Sequence, residues 1–373
     1  MIDLDSLPER LLLGPGPSNA PTRVLEAMSR PLLGHLDPQF IALLDEVKES
    51  LRHVFGTQNA FTLPLSATGS SGMEACLVNL LEPGDTVLVG VNGVFGGRMC
   101  DVAARAGAKV ERLDAEFGQP LDVDAMVEAI ARFQPAVVSF VHAETSTGVL
   151  QRVPEIAAAA REAGSLVVLD CVTSLAGIPV ELDAWGVDAA YSGTQKCLSC
   201  PPSLSPVSFS GRALERVRAR KRPVQSWYLD VSLLAGYYEG EKRVYHHTAP
   251  ISSVYALHAG LSLVEEEGMK AREARHREAA AALIAAVEPL GFKPLVAEEH
   301  RLPMLTSLLL PESVLAQDEA ALRGRLLDRH GIEVGAGLGA LAGKIWRVGL
   351  MGENARVENV ERLSQALREE LSS

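Results

Sequence analysis

The chain has 373 residues, 47% of them hydrophobic and 22% charged, the composition of a folded globular protein large enough for two domains. A formal net charge of −12, from 35 basic and 47 acidic residues, argues against a nucleic-acid-binding protein. The longest apolar runs, such as 279–287, fall short of the roughly 20 residues a membrane helix needs, so no membrane partner is expected.

Residues 1–10 carry three acids and no basic stretch before an apolar run, so a cytoplasmic location is expected. Residues 1–21 include Pro8, Pro15, Pro17, Pro21, Gly14 and Gly16, and this density of turn formers predicts an extended arm without regular structure. From about Asn59 to Ser210, short β-branched runs alternate with amphipathic stretches. The predicted strands are Thr86–Val89, Lys109–Arg112, Ala136–Val141, Leu166–Leu169, Ala189–Ser192 and Ser205–Phe209. The predicted helices between them are Gly72–Leu81, Gly97–Ala106, Val123–Arg132 and Pro154–Ala163. Strands separated by helices make βαβ units, so the fold class is α/β with a mostly parallel sheet, whose ligands gather at the carboxyl ends of its strands. A long amphipathic stretch follows over about Ile251–Leu290. Then come strands at Leu305–Leu310 and Ile345–Val348 and helices near Asp318–Arg329 and Val357–Leu371. The expected division is an arm at 1–21, a large domain at 22–265 and a small C-terminal α/β domain at 266–373.

The five cysteines, Cys76, Cys100, Cys171, Cys197 and Cys200, are odd in number. Cys197 and Cys200 have CxxC spacing, but no second pair or His pair completes a zinc site, so reduced, buried thiols and no metal are expected. The basic run at Arg216–Arg222 reads as a solvated helix face.

The chemistry sits at strand ends. Leu166-Val-Val-Leu-Asp170 is a buried-strand run ending in a carboxylate, which is costly to bury unless something cationic meets it. Asp188-Ala-Ala-Tyr-Ser-Gly-Thr-Gln-Lys196 ends in small polar residues and a lysine, whose desolvated amine could attack a carbonyl. A protonated pyridine facing the acid and an imine on the lysine would account for both, while a surface lysine and a capping aspartate account for them equally well. Ser66-Ala-Thr-Gly-Ser-Ser-Gly is a hydroxyl-rich loop opening an apolar helix, suited to phosphate but also to ordinary capping. Phe95 follows a predicted strand, where it could stack on a flat ring or fill the core. Arg347 stands inside a β-like run, where it could fork onto a substrate carboxylate or pair with a neighbouring acid.

Taken in order, Leu11-Leu-Leu-Gly-Pro-Gly-Pro-Ser-Asn19, Leu81-Glu-Pro-Gly-Asp85, Ser146-Thr-Gly-Val-Leu-Gln151, Tyr191-Ser-Gly-Thr-Gln-Lys196, Trp227-Tyr-Leu-Asp230, Tyr245-His-His-Thr248 and Trp346-Arg-Val-Gly-Leu350 resemble the class V (fold type I) aminotransferases, in the alanine–glyoxylate and serine–pyruvate branch. The resemblance runs from residue 11 to about 350. It implies pyridoxal 5′-phosphate as cofactor, with Lys196 as its Schiff-base lysine and Asp170 against its ring nitrogen. It places Thr68, Gly69 and Ser70 at the phosphate with Gln195 beside them, Phe95 on the ring, and Thr145 near the ring hydroxyl and the substrate. Tyr245 and Thr248 match residues that reach the phosphate from another subunit, so a homodimer with shared active sites is implied. Arg347 matches the carboxylate clamp. Ser70 stands where animal relatives have His, Phe95 where they have Trp, and Ser203 where relatives usually have Gly.

The implied activity is transamination between alanine or serine and glyoxylate or pyruvate, with Lys196 as the proton shuttle. Ureidoglycine–glyoxylate and 2-aminoethylphosphonate aminotransferases, and a lyase or decarboxylase on the same scaffold, are the alternatives. A cysteine desulfurase would need a cysteine late in the chain, and the last one here is Cys200.

Overall fold

A computed structural model describes residues 1–239 and 243–372. Its main sheet has seven strands: β2 (Phe61–Leu65), β3 (Thr86–Val91), β4 (Lys109–Asp114), β5 (Val137–Val141), β6 (Leu166–Asp170), β7 (Ala189–Tyr191) and β8 (Ser205–Phe209), in the order β2-β8-β7-β6-β5-β3-β4. The neighbours from β7 to β4 are parallel, and β8 runs against both of its neighbours. The helices Gly69–Leu80, Val94–Arg105, Val123–Phe133 and Pro154–Glu162 pack on this sheet. Strands β5 and β6 are buried at every position, as sheets covered on both faces require.

Strand β2 has no counterpart among the predicted strands, because Pro64 interrupts its apolar run. It is tolerated because β2 is the sheet edge, where proline costs no ladder bond on the open side. Its register partner on β8 is Pro206, so the two prolines sit opposite each other.

A second sheet has the order β1-β11-β12-β10-β9, with β1 at Leu11–Leu13, β9 at Lys293–Pro294, β10 at Leu305–Leu309, β11 at Ile332–Ala336 and β12 at Ile345–Gly349. The expectation of an irregular N-terminus therefore fails at Leu11–Leu13, which pairs in parallel with β11. Leu11 and Leu13 bury their side chains in the core of this second sheet with Leu283, Trp346 and Leu363, and that burial outweighs the surrounding turn formers. The amphipathic stretch after 250 is two helices, Ile251–Glu267 and Met269–Val287, broken at Gly268, whose φ of 79° suits glycine. The first helix packs in the core of the main sheet, while Ala279, Leu283 and Val287 of the second belong to the core of the smaller one.

Candidate active site

The carboxyl ends of the parallel strands β3, β5, β6 and β7 meet over a cavity of about 230 Å³. β5, β6 and β7 contribute their last residues, Val141, Asp170 and Tyr191, and the helix after β3 contributes Phe95, the geometry that open α/β sheets offer to ligands. Seven residues expected from sequence line the cavity together: Gly69, Ser70, Phe95, Thr145, Asp170, Gln195 and Lys196.

Asp170 closes β6 and is 3% exposed. Its carboxylate accepts from the Val172 N–H and the Tyr191 hydroxyl, each at 2.8 Å. Burial pushes its pKa up to about 7, the nearby Glu144 adds to the rise, and the two hydrogen bonds and Lys196 pull the other way. Lys196 lies beyond β7, and burial brings its amine down to about 8. Its Nζ donates to the Pro15 carbonyl, because Gly16, at φ 108°, lets the chain pass so close that a Cβ there would clash with the Lys196 side chain. The lysine is thus covered by the same N-terminal segment whose Leu11–Leu13 anchors in the smaller sheet.

At the other end of the cavity Gly69 and Ser70 begin the helix Gly69–Leu80, and Thr68 is its N-cap residue. The Thr68 side chain makes no capping hydrogen bond, and the Gln195 Oε1 is buried without a partner. Phe95 stands in the first turn of the helix after β3, with the Arg98 guanidinium 4.9 Å from its ring centroid and 3.4 Å from the Ser70 hydroxyl. Arg347, on β12, reaches across from the smaller sheet. Its Nη1 donates to the Thr145 carbonyl at 3.2 Å and its Nε to the Ala336 carbonyl at 2.7 Å, so carbonyls rather than an acid hold it at the edge of the cavity.

Tyr245 and Thr248 are not brought to this cavity within the chain. Both are exposed, Tyr245 at 60%, with its ring 5.4 Å from that of His35. Between them His246 and His247 are buried, with their Nδ1 atoms 2.8 Å apart, and the His247 Nε2 is 2.7 Å from the Ser66 hydroxyl, just before the 68–70 loop. Trp227 stacks on His246 at 4.4 Å, with only 6° between the ring planes.

Several residues of the site were not singled out from sequence. Tyr191 is the most important, and register reveals it: it ends β7 opposite Asp170, which ends β6, so the two side chains share one edge. Glu144 is fully buried and raised by that burial, and it accepts from Ser146 and from the Phe95 N–H. It lies in a two-residue strand, Ala143–Glu144, too short to announce itself in sequence. Arg98, Met73, Val141, Ala143, Val172 and Thr173 complete the lining.

These residues fit pyridoxal 5′-phosphate. A buried carboxylate calls for a cation such as a protonated pyridine nitrogen, and the desolvated lysine amine suits an aldehyde. The helix N-terminus with the free Thr68 hydroxyl suits a phosphate, and Phe95 suits a flat ring.

A mostly parallel sheet with this lysine and acid at its carboxyl edge, followed by a smaller C-terminal sheet, is the architecture of the fold type I pyridoxal-phosphate transferases. The family model described as aminotransferase class-V matches residues 10–363, and the chain belongs to that family. It is 41% identical to the alanine–glyoxylate aminotransferase of Callithrix jacchus over 98% of this chain and 88% of the relative. It is 37% identical to the (S)-ureidoglycine–glyoxylate transaminase of Bacillus subtilis over 95% of this chain and 88% of the relative. Among solved structures, the alanine–glyoxylate aminotransferase of Nostoc sp. superposes with a TM-score of 0.97 at 47% identity, over 100% of this chain and 97% of that one. The protein is an aminotransferase.

Proposed function

We propose that the protein transfers an amino group from alanine or serine to glyoxylate or pyruvate, releasing glycine or alanine and the matching oxo acid, with pyridoxal 5′-phosphate held in the Lys196 cavity. The observation that carries this reading is the convergence of Lys196, Asp170 and the 68–70 loop on one cavity, with the Arg347 guanidinium at its edge. Glyoxylate is the stronger half of the proposal, since it stands in the names of both the alanine-type and the ureidoglycine-type relatives. The ureidoglycine-type relative supports a second reading, with the same acceptor and a different donor.

When bound, the cofactor supplies an electron sink conjugated to the substrate Cα. Asp170 holds a proton at the ring nitrogen by accepting its N–H, and Tyr191 and the Val172 N–H orient that carboxylate. Arg347 grips the substrate carboxylate and so presents the Cα–H bond to the lysine. Lys196, with its amine near pKa 8, is neutral often enough close to neutral pH to accept the Cα proton and then return it. Phe95 and Val172 supply apolar walls, and the segment at Pro15–Gly16 shields the amine from water.

Tyr245 and Thr248 are proposed to complete the phosphate site of a second subunit, which makes the working unit a homodimer. Their exposure on the isolated chain supports this. Among the described residues no helix is long and apolar enough to cross a membrane. A cytoplasmic location is proposed on the five free, buried cysteines, which a reducing compartment keeps as thiols.

The test is a set of half-reactions. Purified protein should show the absorbance of a lysine-bound cofactor and lose it on mixing with alanine or serine. Glyoxylate should then restore it, with glycine as product. No spectral change with either donor, or recovery only with an oxo acid other than glyoxylate and pyruvate, would overturn the proposal. Release of CO₂ or of a deaminated product without an acceptor would establish decarboxylase or lyase chemistry instead.

A further inference from the structure

Behind the cavity, away from the substrate, one guanidinium joins the loops that follow the two key strands. Arg272, in the helix Met269–Val287, is 5% exposed. Its Nε donates to the Ala176 carbonyl at 2.7 Å, and its Nη2 donates to the Cys197 carbonyl. Its third nitrogen is neutralised by Glu267, whose carboxylate lies 2.6 Å away and also takes Arg275. Ala176 lies on the loop leaving Asp170, and Cys197 is the residue after Lys196.

Both loops are backbone-strained where the guanidinium holds them. Of the three non-glycine residues with positive φ among those described, two are here: Ala176 at 63° and Ser199 at 52°. An L residue rarely adopts this region and persists there where the surroundings over-determine it. Between the same two loops the Cys197 Sγ also donates to the Thr173 carbonyl at 3.2 Å, and further restraints on the Lys196 loop come from elements foreign to the main sheet. The Ser18 hydroxyl donates to the Lys196 carbonyl at 2.9 Å, and the Glu353 N–H donates to the Ser199 hydroxyl at 2.8 Å. The turn that carries Glu353 is in turn held by His276, one helical turn after Arg272. Its Nδ1 donates to the Arg272 carbonyl at 2.7 Å, so its Nε2 is the atom left to accept the Gly352 N–H at 3.0 Å. The tautomer is thereby set, and burial keeps the ring neutral by lowering its pKa to about 3.

A fork suits this task better than a point charge. Two carbonyls on separate loops need two N–H groups at a set separation, and a planar guanidinium supplies them while a third arm meets Glu267. A lysine amine could neutralise Glu267 but could not hold both carbonyls in the same geometry. None of the Arg272 atoms lines the cavity, so its influence on the chemistry must pass through the backbone at 176 and 197.

We propose that Arg272 is a positioning residue for transamination: by clamping the Ala176 and Cys197 carbonyls it sets the place of the Lys196 amine relative to Asp170. This rests on the reading of Lys196 as the cofactor lysine.

The test compares wild type, Arg272→Lys and Arg272→Met as holoenzymes, by pH titration of the cofactor absorbance and by half-reaction kinetics. A displaced lysine changes the midpoint of that titration, which a purely scaffolding role would leave alone. In Arg272→Met the midpoint is expected to move by roughly half a pH unit or more, and kcat to fall about tenfold or more with the amino-acid KM within about threefold of wild type. Arg272→Lys should show a smaller change in the same direction. If Arg272→Met does not fold, Arg272→Lys decides alone. A folded Arg272→Lys with wild-type midpoint and kcat would overturn the proposal, as would a folded Arg272→Met whose only defect is a lower melting temperature. Failure of the underlying reading looks different: wild type itself would then show no lysine-bound cofactor, or Lys196→Ala would keep it.

Discussion

The two parts of the candidate site differ in how far one chain completes them. Where β3, β5, β6 and β7 end, Asp170, Tyr191 and Glu144 are buried and Lys196 is half-buried, and all four are hydrogen-bonded and shifted in pKa within a single chain. The 245–248 segment instead leaves Tyr245 and Thr248 in solvent, while its His247 reaches the Ser66 hydroxyl just before the 68–70 loop. The contrast separates proton transfer from phosphate anchorage. Buried groups set the first, because desolvation is the main cause that brings the acid up to about 7 and the lysine down to about 8 on one cavity. Exposed hydroxyls can serve the second without pKa tuning, so they can come from elsewhere.

The sharpest way to break this contrast is to remove the amine at its buried end. Lys196→Ala should lower the half-reaction rate by at least about 10³-fold, the upper range for a positioned acid–base group. Borohydride reduction followed by peptide mass analysis should find no cofactor attached to the 196 peptide. A variant that still transaminates at more than about a tenth of the wild-type rate would put the proton shuttle on another residue.

Asp170→Asn follows, with an expected loss of about 10²-fold for a charge-assisted hydrogen bond removed from the ring nitrogen. The same change has a second, pH-dependent consequence in cofactor-free protein. An acid with a folded-state pKa near 7 binds a proton that the unfolded chain has already lost above about pH 4. Its stabilising contribution is therefore complete below about pH 4 and is lost as the pH rises through about 7. Melting temperature should fall across that window in cofactor-free wild type and fall less in Asp170→Asn. An equal slope in both would mean that Asp170 is ionised throughout in the folded chain.

Arg347→Lys tests the bridge between the two sheets. The substitution keeps the charge and loses the fork, so the amino-acid KM should rise about tenfold, while cofactor absorbance stays at the wild-type level. A fall in kcat with unchanged KM would show that Arg347 acts through Thr145 rather than on substrate.

How much of this was legible in the sequence follows the same division. The parallel strands were readable because burial on both faces writes them as unbroken apolar runs, and Asp170 and Lys196 stood out as charges interrupting that pattern at strand ends. Strand β1 was hidden because its three leucines are short and set among prolines, and what makes them a strand is a partner, β11, some 320 residues further on. Tyr191 and Glu144 escaped notice for another reason: a tyrosine ending a strand and an acid in a two-residue strand look ordinary until register sets them beside Asp170 and Phe95. Arg272 could not be read at all, since its residue type and spacing are those of a charged helix face. Only the tertiary fold shows that it points inward to two backbone carbonyls.

The smallest expected effect bears most directly on the exposed end. Tyr245→Phe removes one hydroxyl from a segment outside the cavity of its own chain, so cofactor should leave roughly three- to tenfold faster, the worth of one ordinary hydrogen bond at a solvent-accessible site. The informative form of this experiment mixes two variants. A hybrid dimer of one Lys196→Ala subunit and one Tyr245→Phe subunit has a single site with an intact lysine, and that lysine belongs to the chain lacking the hydroxyl. If Tyr245 serves its own chain, that site is impaired and loses cofactor at the Tyr245→Phe rate. If Tyr245 serves the opposite chain, the same site is completed by the hydroxyl of the Lys196→Ala subunit and retains cofactor as wild type does. Equal release from the hybrid's intact-lysine site and from the Tyr245→Phe homodimer would therefore return the phosphate end of the site to one chain and remove the main support for shared active sites.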